Sequence, residues 1–224
     1  MLSGVATHLI QRGSNRSACF RRESDYLLYL LQLRDLSRRL ECAVHAYCLM
    51  TNHVHLLISP PSAEAGTALM KEIGQRHAQY FNRAYGRTGP LWDGRYRSCV
   101  AESARYVLAC YRYIELNPVR AGMVEHPAQY AWSSYRANAE GRDEGLVSPH
   151  AEFLALGADP QNRCKAYAAL LDEAMEPSLI EGIRTATNGG YPLGSDAFKA
   201  QIGATFGCRT SPSPPGPKPG KIRV

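Results

Sequence analysis

The chain has 224 residues, of which 45% are hydrophobic and 21% charged, with a formal net charge of +6. That is the balance of a soluble globular protein, with enough chain for one ordinary domain plus an extension, and a positive excess that suits a polyanionic partner without requiring one. The seven scattered cysteines include no CxxC, and no stretch is long and apolar enough for a secretory leader or a membrane helix, so a disulfide framework and a membrane span are excluded and a cytoplasmic protein is expected.

The first element is "VATHLIQRG", residues 5–13, whose β-branched and polar mixture ending at Gly13 reads as a strand. "SDYLLYLLQLRDLSRRLE", 24–41, reads as a helix with Ser24 as N-cap and an apolar stripe through Leu27, Leu30, Leu31 and Leu33. "CAVHAYCLM", 42–50, and "HVHLLIS", 53–59, are apolar strands separated by Thr51 and Asn52, which predicts a tight hairpin. A second long helix spans 64–86, and a weaker fourth strand spans 96–102. A third helix, 103–117, has Ser103 as its cap and Pro118 as its stop.

The order β-α-β-β-α-β, then α, predicts an α+β fold: a ferredoxin-like βαββαβ antiparallel sheet with helices on one face. The strand 53–59 should be central. Beyond "NAEGRDEG" the texture changes to helical runs near 149–156, 160–175, 178–187 and 196–206, with Pro149, Asp159, Ser178 and Ser195 near their starts. The expected organisation is a domain over 1–137, a helical C-terminal extension over 138–206, and a Pro-rich basic tail over 207–224 with Lys218, Lys221 and Arg223.

On a strand, residues i and i+2 leave the same face. His53 and His55 therefore stand side by side, the start of a metal site or a pair satisfied by polar neighbours. On the third helix, Tyr113 lies one turn before Asn117, and Tyr111 one turn before Glu115. Either pairing joins a phenol to an oxygen donor, and spacing alone does not choose between them. A zinc set of His53, His55 and Cys48 is a third option, because a two-residue turn puts Cys48 opposite His55. The segment "RTGPLWDGRYR" supplies Arg87, Trp92, Arg95, Tyr96 and Arg97, and "QRGSNR" supplies Arg12 and Arg16. Basic and aromatic residues so interleaved suit a single-stranded nucleic acid, with a solvated arginine surface as the plainer alternative.

"HAYCLMTNHVHLLI", "GRTGPLWDGRYRSCV", "YIELNPVRAGMV" and "YAWSSYRA" together resemble the REP-associated tyrosine transposases, a group of single-tyrosine HUH transposases. The likeness runs from about residue 5 to about 137 and keeps the motifs in order. It implies that Tyr113 is the nucleophile, that His53, His55 and Asn117 hold a divalent metal, Mg2+ or Mn2+, and that Tyr111 and Glu115 are runners-up; Tyr106, about two turns before Tyr113 on nearly the same face, is expected to flank the site. It implies cleavage and rejoining of single-stranded DNA near hairpin repeats through a 5′-phosphotyrosine, by a monomer or homodimer. Two other classes remain: a hairpin-binding protein that no longer cuts, and a metal-dependent hydrolase that uses water in place of Tyr113.

Overall fold

The computed structural model describes residues 1–102, 105–142 and 145–212. Ser103, and Lys218, Lys221 and Arg223 of the tail, lie outside that range. Strand β1 (Thr7–Arg12) ends in a turn at Gly13. A β-carbon on Gly13 would come within 2.2 Å of the Ser17 carbonyl oxygen, so the turn admits no larger residue.

Helix α1 (Glu23–Arg39) is not capped by Ser24. Asp25 reaches back instead and accepts the N–H groups of Arg21 at 2.7 Å and Arg22 at 3.1 Å. The same carboxylate accepts the hydroxyls of Tyr80 and Tyr85. The buried face is Tyr26, Tyr29, Leu33 and Leu36, while Leu27 and Leu31 are 54% and 46% exposed. The expected leucine stripe is thus rotated towards the tyrosines. They offer more area to bury, and they pack on Phe20 with ring centroids 4.5 and 5.5 Å away.

Strands β2 (Ala43–Met50) and β3 (His53–Ser59) form the expected hairpin, with Met50 opposite His53 across a two-residue turn. Helix α2 (Ala63–Ala84) starts at Ser62, whose hydroxyl accepts the Ala65 N–H. Strand β4 (Arg97–Val100) completes a four-stranded antiparallel sheet in the order β2-β3-β1-β4, with β3 and β1 central. Helix α3 (Arg105–Glu115) ends two residues sooner than expected. Pro118 falls in the first turn of a further short helix, α4 (Asn117–Arg120), where its missing N–H is not needed.

Alternation along the strands sorts their side chains between two cores. One face carries Leu9, Val54, Leu56 and Ile58 and is covered by α1 and α2, the two crossover helices. The other carries Cys48, Leu57 and Cys99 and is covered by α3 and by the extension. Helix α5 (Tyr135–Glu140) straddles the expected boundary at 137, and beyond it the extension comprises α6 (Ala151–Leu154), α7 (Pro160–Asp172), α8 (Pro177–Gly189) and α9 (Asp196–Phe206). Asp159 and Ser195 cap α7 and α9, whereas His150 rather than Pro149 caps α6, and α8 opens on Pro177 with Ser178 inside it.

Both sheet edges are closed by later chain. Along β2, the Leu49 N–H donates to Trp132 and the Ser134 N–H to Tyr47. Along β4, the Leu193 N–H donates to Val100. Covering an edge in this way satisfies backbone groups that would otherwise invite pairing with another chain.

Candidate functional site

Because His53 and His55 alternate with Val54, they leave β3 on the α3 side of the sheet, with ring centroids 4.9 Å apart. Pairing brings a third imidazole to them. His8 on β1 is fully buried, and its Nε2 lies 2.9 Å from His55 Nδ1. Helix α3 then lowers Tyr113 onto the pair, with its ring 5.9 Å from His55 and 5.7 Å from His8. Arg120, one helical turn past the end of α3, lays its guanidinium over the Tyr113 ring at 4.3 Å and donates to the Tyr113 carbonyl. From α8, Arg184 also reaches Tyr113, and that contact raises its pKa.

Burial first, then the Arg12 charge, lowers the His53 pKa to about 4. Burial first, then Arg120, lowers that of His8 to about 3, and burial takes His55 well below its usual value. All three rings are therefore neutral at neutral pH, the form in which an imidazole can bind a metal. His53 spends Nδ1 on Asn52 Oδ1 at 2.6 Å, and His55 spends Nδ1 on His8. Among the described residues neither Nε2 has a hydrogen-bond partner, so two imidazole nitrogens stand ready for a ligand.

Asn117 is half-buried at the start of α4 and makes no hydrogen bond to either histidine. Its Nδ2 is buried without a partner, which leaves an unsatisfied amide end one turn from Tyr113. Two free neutral imidazole nitrogens and the Asn117 amide oxygen, the one amide atom that a cation can bind, fit a divalent cation that also takes oxygen ligands. Among the described residues no cluster of three His, Cys, Asp or Glu side chains of metal-binding shape occurs.

Cys48 does lie opposite His55 in the register, as the two-residue turn required. It is fully buried, contacts Met50 Sδ at 3.6 Å, and burial drives its pKa up, which opposes the thiolate that zinc needs. Tyr111 and Glu115 point away into the core. The Tyr111 hydroxyl accepts the His150 N–H, and Glu115 accepts from Ser134, Asn138 and Tyr167. Burial raises the Glu115 pKa to about 7. Tyr106 is partly buried against the same core.

The basic and aromatic residues divide into three groups. Arg12 and Arg16 line a cleft of about 230 Å³ with Asn52 and His53. Arg97 joins Arg12 at the end of α8, where both donate to Asn188. Trp92, Arg95 and Tyr96 line a separate groove of about 1120 Å³ against Lys71 and Gly74 of α2. The Trp92 indole N–H is spent on the Gly74 carbonyl, so its ring is an anchor of that groove's wall. Arg87 joins neither cleft and lies over Phe81.

Spacing gave no role to His8, Arg120, Arg184 or Thr187. The only signal for His8 was a polar ring in the apolar alternation of "VATHLIQRG", and Arg184 and Thr187 carried none.

The family described as "Transposase IS200 like" (Y1_Tnp) matches residues 1–117, a segment that includes His8, His53, His55, Tyr113 and Asn117. Among solved structures, a REP-associated tyrosine transposase bound to a REP hairpin is similar at a TM-score of 0.53 and 17% identity, covering 66% of this chain and 88% of that one. A candidate transposase from Deinococcus radiodurans R1 matches with a TM-score of 0.37 and 19% identity, covering 55% of this chain and 93% of that one. No curated protein matches the chain at a significant level. The family match spans more than half the chain, and the chain belongs to the IS200-like transposase family.

Proposed function

We propose that this chain cleaves and rejoins single-stranded DNA beside hairpin repeats, as a REP-associated tyrosine transposase with Tyr113 as its nucleophile. The observation that carries the reading is the meeting of Tyr113 with the neutral His8–His55 pair on one side and two guanidinium groups on the other. Residues 1–137 would carry the nucleophile and the metal ligands, with 138–206 as a helical extension that adds Arg184, in a cytoplasmic monomer or homodimer.

A free tyrosine has a pKa of about 10 and is a weak nucleophile at neutral pH. Arg120 and Arg184 supply positive charge beside the phenol as it gives up its proton. The Tyr113 oxygen bonds to phosphorus, the bond to the 3′-oxygen breaks, and the proton lost by the phenol is made up on the departing 3′-hydroxyl. The ester bond to Tyr113 keeps the energy of the broken one, so attack by another 3′-hydroxyl rejoins strands without a nucleotide cofactor. His53 and His55, with Asn117, would hold Mg2+ or Mn2+, which when bound neutralises charge on the scissile phosphate and orients it. Arg12, Arg16 and Arg97 would track phosphates at the mouth, and Trp92, Arg95 and Tyr96 would line a path for unpaired bases. Arg87, packed on Phe81, is the weakest of the contacts expected from sequence.

The test is incubation with single-stranded DNA carrying the repeat hairpin that flanks the gene. Wild type should give a denaturation-resistant protein–DNA adduct, and Tyr113→Phe should give none while still retarding the DNA. Cleavage without an adduct would favour a water-using hydrolase, and binding without cleavage a hairpin-binding protein. Either outcome overturns the reading.

A further inference from the structure

Helix α8 lies outside the segment that matches the family, yet it carries Arg184, Thr187 and Asn188 to the site on a single face. Thr187 is fully engaged there. Its Oγ1 lies 2.8 Å from the Ile183 carbonyl, 2.8 Å from His8 Nδ1 and 3.3 Å from Cys99 Sγ. A carbonyl can only accept, so the single hydroxyl proton goes to Ile183. The hydroxyl oxygen must then accept from His8, which puts the proton of that ring on Nδ1. His8 is fully buried and its ring nitrogens meet only the Thr187 hydroxyl and the His55 ring, with no carboxylate to balance a second proton, so the ring holds only that one. His8 Nε2 is left as an acceptor, and the 2.9 Å contact is a donation from His55 Nδ1–H. His55 is thereby left with a bare lone pair on Nε2, the nitrogen that has no protein partner.

We propose that Thr187 is a positioning residue of the reaction centre, fixing the tautomer of His55 through His8 so that His55 Nε2 is always presented as a lone pair. The helical extension is then part of the site and not an appendage to it. The opposite tautomer would carry a proton on His55 Nε2 and shut that nitrogen to a cation. Groups behind a ligating histidine commonly set its tautomer and change metal affinity by about 10–100-fold when removed. The inference rests on the proposed metal role of His55 only for its consequence; the proton arrangement stands independently of any reaction on DNA.

The test uses the full chain, metal-free, with isotope-labelled histidine. Wild type should show the ring shifts of a proton on Nδ1 for both His8 and His55. Thr187→Val removes the acceptor at nearly constant volume and should move both rings towards the other tautomer, while Thr187→Ser should restore the wild-type pattern. Mn2+ titration without DNA, read by electron paramagnetic resonance, should show roughly tenfold or greater weakening in Thr187→Val and none in Thr187→Ser. A proton on Nε2 of His55 in wild type overturns the inference, and so do unchanged tautomers and unchanged Mn2+ affinity in a folded Thr187→Val. Should Thr187→Val not fold, the wild-type tautomers and Thr187→Ser still decide. Failure of the adduct assay with the predicted tautomers intact would overturn the DNA chemistry and leave this arrangement standing.

Discussion

Replacing Glu115 by alanine should loosen the helix that carries Tyr113 without touching the reacting groups. The Glu115 carboxylate is fully buried and accepts three hydrogen bonds, from Ser134 at 2.5 Å, Asn138 at 2.7 Å and Tyr167 at 2.7 Å. These donors belong to the start of α5, to α5 itself and to α7, so one side chain ties α3 to α5 and to the extension. Glu115→Ala takes an acceptor from three buried donors; Ser134 can turn to the Tyr47 carbonyl, but one Asn138 N–H and the Tyr167 hydroxyl lose their partner outright, at about 1–3 kcal/mol each. Relief from burying a carboxylate returns part of this, and the net loss should be about 2–4 kcal/mol, a large share of the roughly 5–15 kcal/mol by which a domain is stable. Glu115→Gln keeps an amide oxygen for Ser134 and Asn138 and can donate to the Tyr167 oxygen, so its cost should be only about 1 kcal/mol. Urea unfolding of the full chain measures both, through a lower midpoint at unchanged slope. A loss below about 1 kcal/mol for Glu115→Ala would mean that the three donors find other partners, and the idea of a central tie would fail.

EDTA should abolish adduct formation and Mn2+ or Mg2+ should restore it, with His53→Ala and His55→Ala each reproducing the loss; full activity in EDTA would remove the metal from the mechanism. Asn117→Ala should raise the metal concentration needed for half-maximal cleavage; a lowered melting temperature with an unchanged metal titration would make the amide a helix-end group instead. His45, hydrogen-bonded to Ser148 and Ser59 and edge-on to His150, has its pKa lowered to about 4, by burial first. Because the folded value is below the unfolded value of about 6.5, the contribution of neutral His45 is complete above that pH and is lost as pH falls towards 4, by about 3 kcal/mol in all. Urea midpoints at pH 7 and pH 5 should therefore converge in His45→Gln relative to wild type, and an unchanged difference would refute the assignment.

The order of elements was legible because period-2 and helical apolar patterns are local properties of the chain. So was the two-residue turn that sets Cys48 opposite His55, and the shared face of His53 and His55. The buried face of α1 was not legible, because leucines and tyrosines compete for the same interior and only the Phe20 cluster decides for Tyr26 and Tyr29. The choice between Tyr113 with Asn117 and Tyr111 with Glu115 was equally closed to spacing. Rotation of α3 on the sheet turns Tyr113 to the histidines and Glu115 into the core, and the first pairing is proposed on that ground. The residues behind the histidines were least legible of all. His8 and Thr187 are 179 positions apart and meet only because the extension folds back across the sheet. A sequence fixes what each side chain can donate, accept or bury; which donor meets which acceptor across such a distance is decided only when the two layers pack.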